Sequence, residues 1–174
     1  MQVFAEQHAA GALDDVDLKI LSMLEKDARL SNAALAEAVG LTASSVHERV
    51  KKLENRGVIK GYVAVVDPAA VGRQITAFIR LTVGTSRGAG YHDARQGVAG
   101  ICHERSEILE CHHVAGEDCY ILKVRTGSPQ ELEQLLEVIR SDNDVQRSVT
   151  AIVLSTAKET TAVVPAPAPA EGRN

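Results

Sequence analysis

The sequence predicts an α+β chain, with an N-terminal winged helix-turn-helix followed by a C-terminal ferredoxin-like βαββαβ domain. Three observations carry that expectation. Apolar residues recur at helical spacing from Asp14 to about Arg56. From Gln74 to Thr156, alternating strand patterns mix with two amphipathic helices. The end of the chain, VVPAPAPAEGRN, sets Pro165, Pro167 and Pro169 at alternate positions, which forbids helices and sheet ladders. The expected organisation is a flexible N-terminus (1–12), a winged helix-turn-helix (13–60), a linker strand (61–73), a ferredoxin-like domain (74–159) and a disordered Pro/Ala tail (160–174).

In the first part, Asp14 or Asp15 can cap a helix whose apolar face is Leu18, Leu21 and Leu24, helped by Ile20. A second helix starts after Ser31, turns Leu35, Ala36 and Val39 inward and stops at Gly40, where glycine accepts the left-handed conformation. Thr42 caps a third helix with Val46, Val50 and Leu53 on its buried side, ending at Arg56 before Gly57. The β-branched run from Val58 to Val66, around Gly61 and Tyr62, fits a short hairpin wing.

The second part opens with ITAFIRLTV, in which Ile75, Ala77, Ile79, Leu81 and Val83 share one face, the pattern of a half-buried strand. Ala94, Val98, Ile101 and Cys102 make a helical stripe. Strands from Ile108 to Val114 and Cys119 to Arg125 turn around Ala115 to Asp118. Ser128, Pro129 and Glu131 form a proline-reinforced capping box ahead of Leu132, Leu135, Leu136 and Ile139, and a last strand runs from about Ser148 to Leu154. The order βαββαβ is that of a ferredoxin-like sheet with both helices on one face.

With 174 residues, 45% hydrophobic and 24% charged, the chain has the composition of a globular protein. No stretch is long and apolar enough to span a membrane, and Met1 to Leu13 lacks the basic region and apolar run of a secretory signal, so the expected compartment is the cytoplasm. Three cysteines without scaffold-like spacing read as free thiols. Five aromatic residues and no tryptophan exclude a base-stacking platform for single strands.

A net charge of −4 argues at first against a polyanionic partner. Its distribution reverses that inference. Thr42 to Lys60 carries five basic residues (Arg49, Lys51, Lys52, Arg56, Lys60) against two acidic ones (Glu48, Glu54), a local +3, whereas Arg73 to Thr160 holds ten basic and twelve acidic residues. Two short helices joined by a glycine turn let the second enter the major groove of a duplex. The start of that helix, Ala43, Ser44, Ser45, His47 and Glu48, offers hydroxyls, imidazole and carboxylate to base edges, while Arg49, Lys51 and Lys52 are placed for phosphates. A plain three-helix domain with solvated lysines would explain a basic run alone, but not its coincidence with the turn and the caps.

These residues carry a family likeness. The run LDDVDLKILSMLEKDARLSNAALAEAVGLTASSVHERVKKLENRGVIKGYVAVVDPAAVG, followed by the βαββαβ half, closely resembles the Lrp/AsnC (feast/famine) transcription regulators over about Leu13 to Thr161, with Gly40 to Tyr62 and IVLSTAKET the most specific stretches. The resemblance implies a regulator binding double-stranded DNA at a pseudo-palindromic operator. It also implies a C-terminal domain that binds a small effector, usually an amino acid, and builds homodimers and often octamers. No cofactor or membrane partner is expected. Matched residue by residue, it places the effector against Gly116, Glu117, Asp118 and Tyr120 and against Ser148, Thr150 and Ile152 of the last strand. Many relatives have aspartate where Cys119 stands, which leaves the effector's identity open. Chemically, Gly116 permits close backbone approach, the acids suit an α-ammonium group, and amides or hydroxyls suit an α-carboxylate. An ordinary β-turn with solvated acids accounts for the same residues.

Two other readings compete. Cys102, His103, Cys111, His112, His113 and Cys119 are a dense set of soft ligands that raises a metal- or thiol-responsive regulator. Their spacing matches no standard metal pattern, and along a strand Cys111 and His113 point opposite to His112. An amino-acid-processing enzyme would need machinery the sequence does not offer: it has no phosphate-cradling glycine loop, GxSxG elbow or HExxH pair. The sequence is therefore read as non-catalytic.

Overall fold

The computed structural model describes residues 13–84, 91–116, 119–141, 145–160 and 162–163, with the backbone alone for 91–96. The expected flexible N-terminus, 1–12, lies outside the described residues. So does the expected Pro/Ala tail, apart from Thr160, Ala162 and Val163; the Val163 N–H donates to Glu25 Oε1 at 2.7 Å. The chain forms two units, one reaching to Ala64 and rejoined from Glu159, the other Val65–Lys158.

The first unit holds α1 (Asp15–Lys26), α2 (Asn32–Val39) and α3 (Ala43–Asn55). Each begins at the residue type that satisfies its unpaired N–H groups. Asp14 accepts from Asp17 N–H and Asp17 reciprocates in a capping box, Ser31 accepts from Ala34 N–H, and Thr42 accepts from Ser45 N–H. Gly40 ends α2 at φ 72°, where its lack of Cβ removes the steric cost, and the chain turns directly into Thr42. Ile20, Leu35, Val46 and Leu53 are the buried centre. The face of α1 differs from expectation: Ile20 is its fully buried residue, and Leu18 is only partly covered.

The expected hairpin wing has no paired strands among the described residues of the single chain. Residues 58–67 carry no strand, so neither the wing expected over Val58–Val66 nor this part of the expected linker strand forms a ladder within the single chain. Val63 and Val65 are 80% and 90% exposed. The chain turns at Pro68 to Gly72, closed by Arg73 N–H to Pro68 O at 2.8 Å.

The second unit is β1 (Ile75–Val83), α4 (Tyr91–Glu104), β2 (Ile108–His113), β3 (Tyr120–Thr126), α5 (Pro129–Ser141) and β4 (Val145–Ile152). Its antiparallel sheet has the order β2-β3-β1-β4, the ferredoxin-like arrangement expected from βαββαβ. Ala77, Ile79, Leu81, Leu122 and Val124 turn to the helices, where Val98, Ile101, Leu132, Leu135 and Ile139 cover them. At α5, Glu131 N–H donates to Ser128 Oγ at 3.1 Å, and Glu131 Oε2 accepts from Gly127 N–H at 2.9 Å. The capping box thus closes one residue earlier than the motif suggests.

Because Ile79 is fully buried in the central strand, Ile79→Ala should lower the unfolding free energy of this unit by about 2–5 kcal/mol. Val65→Ala, at an exposed position, should stay within about 0.5 kcal/mol. Urea denaturation followed by circular dichroism distinguishes the two.

Candidate nucleic-acid interface and effector site

On α3, the buried residues are Val46 and Leu53. This leaves Ala43, Ser44, Ser45, His47, Glu48, Lys51 and Lys52 exposed together, as the helical period requires. The Thr42 hydroxyl lies 3.0 Å from Ser44 Oγ and 2.8 Å from Ser45 Oγ, so the start of the helix presents a knot of hydroxyls beside its unpaired amides. His47 Nδ1 is 3.4 Å from Asn32 Nδ2 of α2, which orients the ring from the neighbouring helix.

Arg49 stands apart from the other candidate DNA contacts. Its Nη1 bridges Asp14 Oδ2 and Asp17 Oδ1, both at 2.7 Å. Asp17 is buried, and its capping role and its ion pair use the same carboxylate. The Asp17 N–H and then the Arg49 guanidinium hold the Asp14 carboxyl below the usual range, and the two carboxylates push Arg49 up. The signal was present in the sequence, since 46, 49, 50 and 53 follow the spacing of a single helix face. At the far end of α3, the Tyr62 hydroxyl donates to Glu54 Oε1 at 2.9 Å; burial and then Glu54 raise its pKa.

The effector candidates lie on the sheet of the second unit. Tyr120 pairs with Leu81, and Leu81 with Ser148, so His113, Tyr120, Leu81 and Ser148 make one rung across all four strands on the helix-facing side. Thr150 stands on the next rung opposite Ile79, and Ile152 on the one beyond, opposite Ala77. Tyr120 is 5% exposed, its ring 5.1 Å from that of His113. Gly116 lies in the β2–β3 turn at φ 151°. Glu117 and Asp118 lie outside the described residues; across the turn the Val114 N–H donates to Cys119 O at 3.0 Å, and the Cys119 N–H donates to Leu81 O of β1 at 2.8 Å.

The rungs do not gather these side chains into one pocket. Leu81 separates Tyr120 from Ser148 by two strand spacings, about 10 Å, and Ile152 is 53% exposed on the edge strand. A cavity of about 200 Å³ opens elsewhere in this unit, between Val66, Pro68, Val71, Leu109, Arg73 and Arg125, and takes in none of the candidates. The sequence reading missed Arg140. From the last turn of α5, its Nε and Nη2 donate to Ser148 Oγ at 3.0 and 2.8 Å, placing a guanidinium fork beside the candidate residues of β4. Its signal was an arginine at the end of an amphipathic helix followed by a short connection to β4. Among the described residues, no group of three or more His, Cys, Asp or Glu could hold a metal ion.

The comparisons with known proteins agree with this geometry. Residues 13–60 match a model described as winged helix-turn-helix DNA-binding, and residues 76–163 match the Lrp/AsnC ligand binding domain. The chain belongs to the Lrp/AsnC family. It is 37% identical to the transcriptional regulator FL11 of Pyrococcus furiosus over 87% of this chain and 95% of the relative. With LrpA of Mycobacterium tuberculosis it shares 38% identity over 83% and 92%. Among solved structures, a Neisseria meningitidis transcriptional regulator in complex with L-methionine superposes with a TM-score of 0.79 at 33% identity, covering 87% of this chain and 96% of that one. The feast or famine regulatory protein Rv3291c of M. tuberculosis, complexed with L-methionine, gives 0.78 at 37% identity over 88% and 100%. The protein is thus a DNA-binding transcription regulator of this family, with α3 as the second helix of its helix-turn-helix.

The clamp at Arg49 has a pH signature. Because the folded Asp14 carboxyl titrates below the ordinary value of about 3.8, its stabilisation is complete above that value and is lost as pH falls through the lowered one. Thermal melts of the wild type and of Arg49→Met, compared at about pH 6 and about pH 3, should show a smaller acid-induced loss in the variant. Equal losses would remove the clamp from the acid response.

Proposed function

We propose that the protein works as a homodimer, and in higher assemblies of dimers, presenting paired α3 helices to a pseudo-palindromic operator. In this reading a free amino acid binds where copies meet, around the β2–β3 turn, β4 and Arg140, and shifts assembly and DNA affinity together. The observation that carries it is the geometry of the second unit. Among the described residues the candidate effector groups line no common cavity: Tyr120 is buried under the helices, Ser148 and Thr150 are half-buried, and Ile152 is exposed on the edge strand, so in this reading a second copy supplies the missing wall around a small ligand.

The amino-acid class is supported by the two similar regulators whose structures hold L-methionine. Arg140 supplies a group that takes a carboxylate in two parallel hydrogen bonds, and the acids of the turn suit an ammonium group. Ligand and assembly are then linked by a coupling of about 1–3 kcal/mol, the usual range for two sites sharing an equilibrium. Relatives named as transcriptional regulators support a non-catalytic role. No helix of the described residues is long and apolar enough to cross a membrane, and work on chromosomal DNA assigns the protein to the cytoplasm.

On α3, Ala43, Ser44, Ser45, His47 and Glu48 read bases, and Lys51 and Lys52 hold phosphates. Arg49 acts through its clamp, fixing the pose of the helix. Lys51→Ala and Lys52→Ala should each weaken binding to all duplexes alike and reduce the salt slope by about one, whereas Ser44→Ala and His47→Ala should change which sequences are selected from a random pool. Uniform weakening from all four variants would count against this orientation.

For the effector, DNA binding and sedimentation are measured across a panel of amino acids. At least one amino acid should change both in the wild type, and Ser148→Ala, Arg140→Ala and Gly116→Val should blunt that response while basal DNA binding persists. Responses left intact by all three variants would show that the ligand binds elsewhere.

A further inference from the structure

Cys102 stands in the last turn of α4, and Cys111 lies on the edge strand β2. Cys111 is opposite Leu122, on the side of the sheet that faces the helices. Only Arg105, Ser106 and Glu107 connect the two elements, so α4 folds straight back against β2. Both thiols are partly buried and pack against the cluster that contains Ile101, Ile108 and Leu122. Cys102 lines a small gap with Ile108 and Leu122, and Leu122 is the residue directly opposite Cys111 on the same side of the sheet, so the two thiols flank one side chain. Cys119 is set apart: it stands opposite Val114, three residues further along the hairpin, and its thiol is turned to Val83 O at 3.8 Å.

From this juxtaposition we propose that Cys102 and Cys111 are a reversible dithiol–disulfide pair, a modification site in the ligand-binding domain whose oxidant is a hydroperoxide. Cys111 is the attacking sulfur. The hydrogen bond from Cys102, and then the charge of the neighbouring His112, hold its thiol below the ordinary range, while donating that bond and burial push Cys102 up. The Cys111 thiolate attacks one peroxide oxygen. A sulfur–oxygen bond forms, the oxygen–oxygen bond breaks, and the departing oxygen takes a proton, leaving a sulfenic acid. The Cys102 sulfur then attacks Cys111, and the sulfenic hydroxyl leaves as water with the Cys102 proton. In sum, two thiols and one hydrogen peroxide give one disulfide and two waters; the sulfurs lose two electrons and the peroxide gains them.

The crosslink ties the end of α4 to β2 at the rung Cys111–Leu122–Ile79–Thr150, next to the rung that carries Tyr120 and Ser148. It stands on the geometry of one chain and does not depend on the effector reading.

The full-length reduced protein is treated with hydrogen peroxide, its free thiols are titrated, and its peptides are mapped by mass spectrometry. Titratable thiols should fall from three to one, with a Cys102–Cys111 linked peptide lighter by two hydrogens and full recovery on adding dithiothreitol. Cys119→Ser should crosslink as the wild type does. Cys102→Ser, or Cys102→Ala if the serine variant loses its circular-dichroism spectrum, should stop at a sulfenic acid on Cys111 that a dimedone probe captures. Three unreacted thiols, a crosslink through Cys119 or between chains, or over-oxidation of wild-type Cys111 without a crosslink would overturn the proposal.

Discussion

Strand β1 is hydrogen-bonded on both sides, to β3 and to β4, and the rest of the second unit is registered against it. Its alternate residues Ala77, Ile79 and Leu81 are fully buried under the helices, so a slip of one residue would turn that apolar row to solvent and Phe78 and Arg80 inward. Fixing this register also fixes what lies on either side of each rung. Leu81 holds Tyr120 on one flank and Ser148 on the other, and Ile79 does the same for Leu122 and Thr150. The effector candidates are therefore spaced by the packing of a strand that contributes none of them.

The helix-turn-helix has its own constraint, and it is electrostatic. Asp14 and Asp17 cap the first helix and also bind Arg49, so the start of α1 and the middle of α3 share one set of charges. That arrangement changes the meaning of the local +3 between Thr42 and Lys60. Arg49 is balanced by Asp14 and Asp17 within the unit, and the excess available to a phosphate backbone rests on Lys51, Lys52 and Lys60. A single copy with so few cations has modest non-specific affinity, and in the proposed dimer two linked copies multiply it through effective concentration.

Most of the fold was legible because its signals are local. Caps at Asp14, Ser31 and Thr42, the glycine stop at Gly40 and the period-two pattern of β1 each state a backbone preference within a few residues. The strands of the wing were not legible for the opposite reason. Val58 to Val66 has strand composition, but a strand needs a partner, and whether the chain reverses to supply one is not written in β-branched residues. Of the site, the exposed start of α3 followed from helical period alone. The Arg49 clamp was not read because the residue's basic charge was weighed before its place on the side of α3 that meets Asp14 and Asp17. Arg140 escaped notice because its meeting with Ser148 spans the α5–β4 connection and depends on how α5 lies over the sheet.

A pocket that needs two copies has a consequence that an enclosed pocket lacks. When one chain supplies every contact, a ligand stabilises that chain whether or not it is assembled, and assembly is left unchanged. In the proposed assembly, where the half-buried Ser148 and Thr150 and the exposed Ile152 are met by a second surface, each bound ligand counts in favour of the state that brings the surfaces together, and its full affinity becomes differential affinity. The exposed position of Ile152 on the edge strand and the half-buried state of Ser148 and Thr150 then cease to be imperfections of packing. In that proposal they are what lets a ligand of a few heavy atoms shift assembly and DNA affinity together.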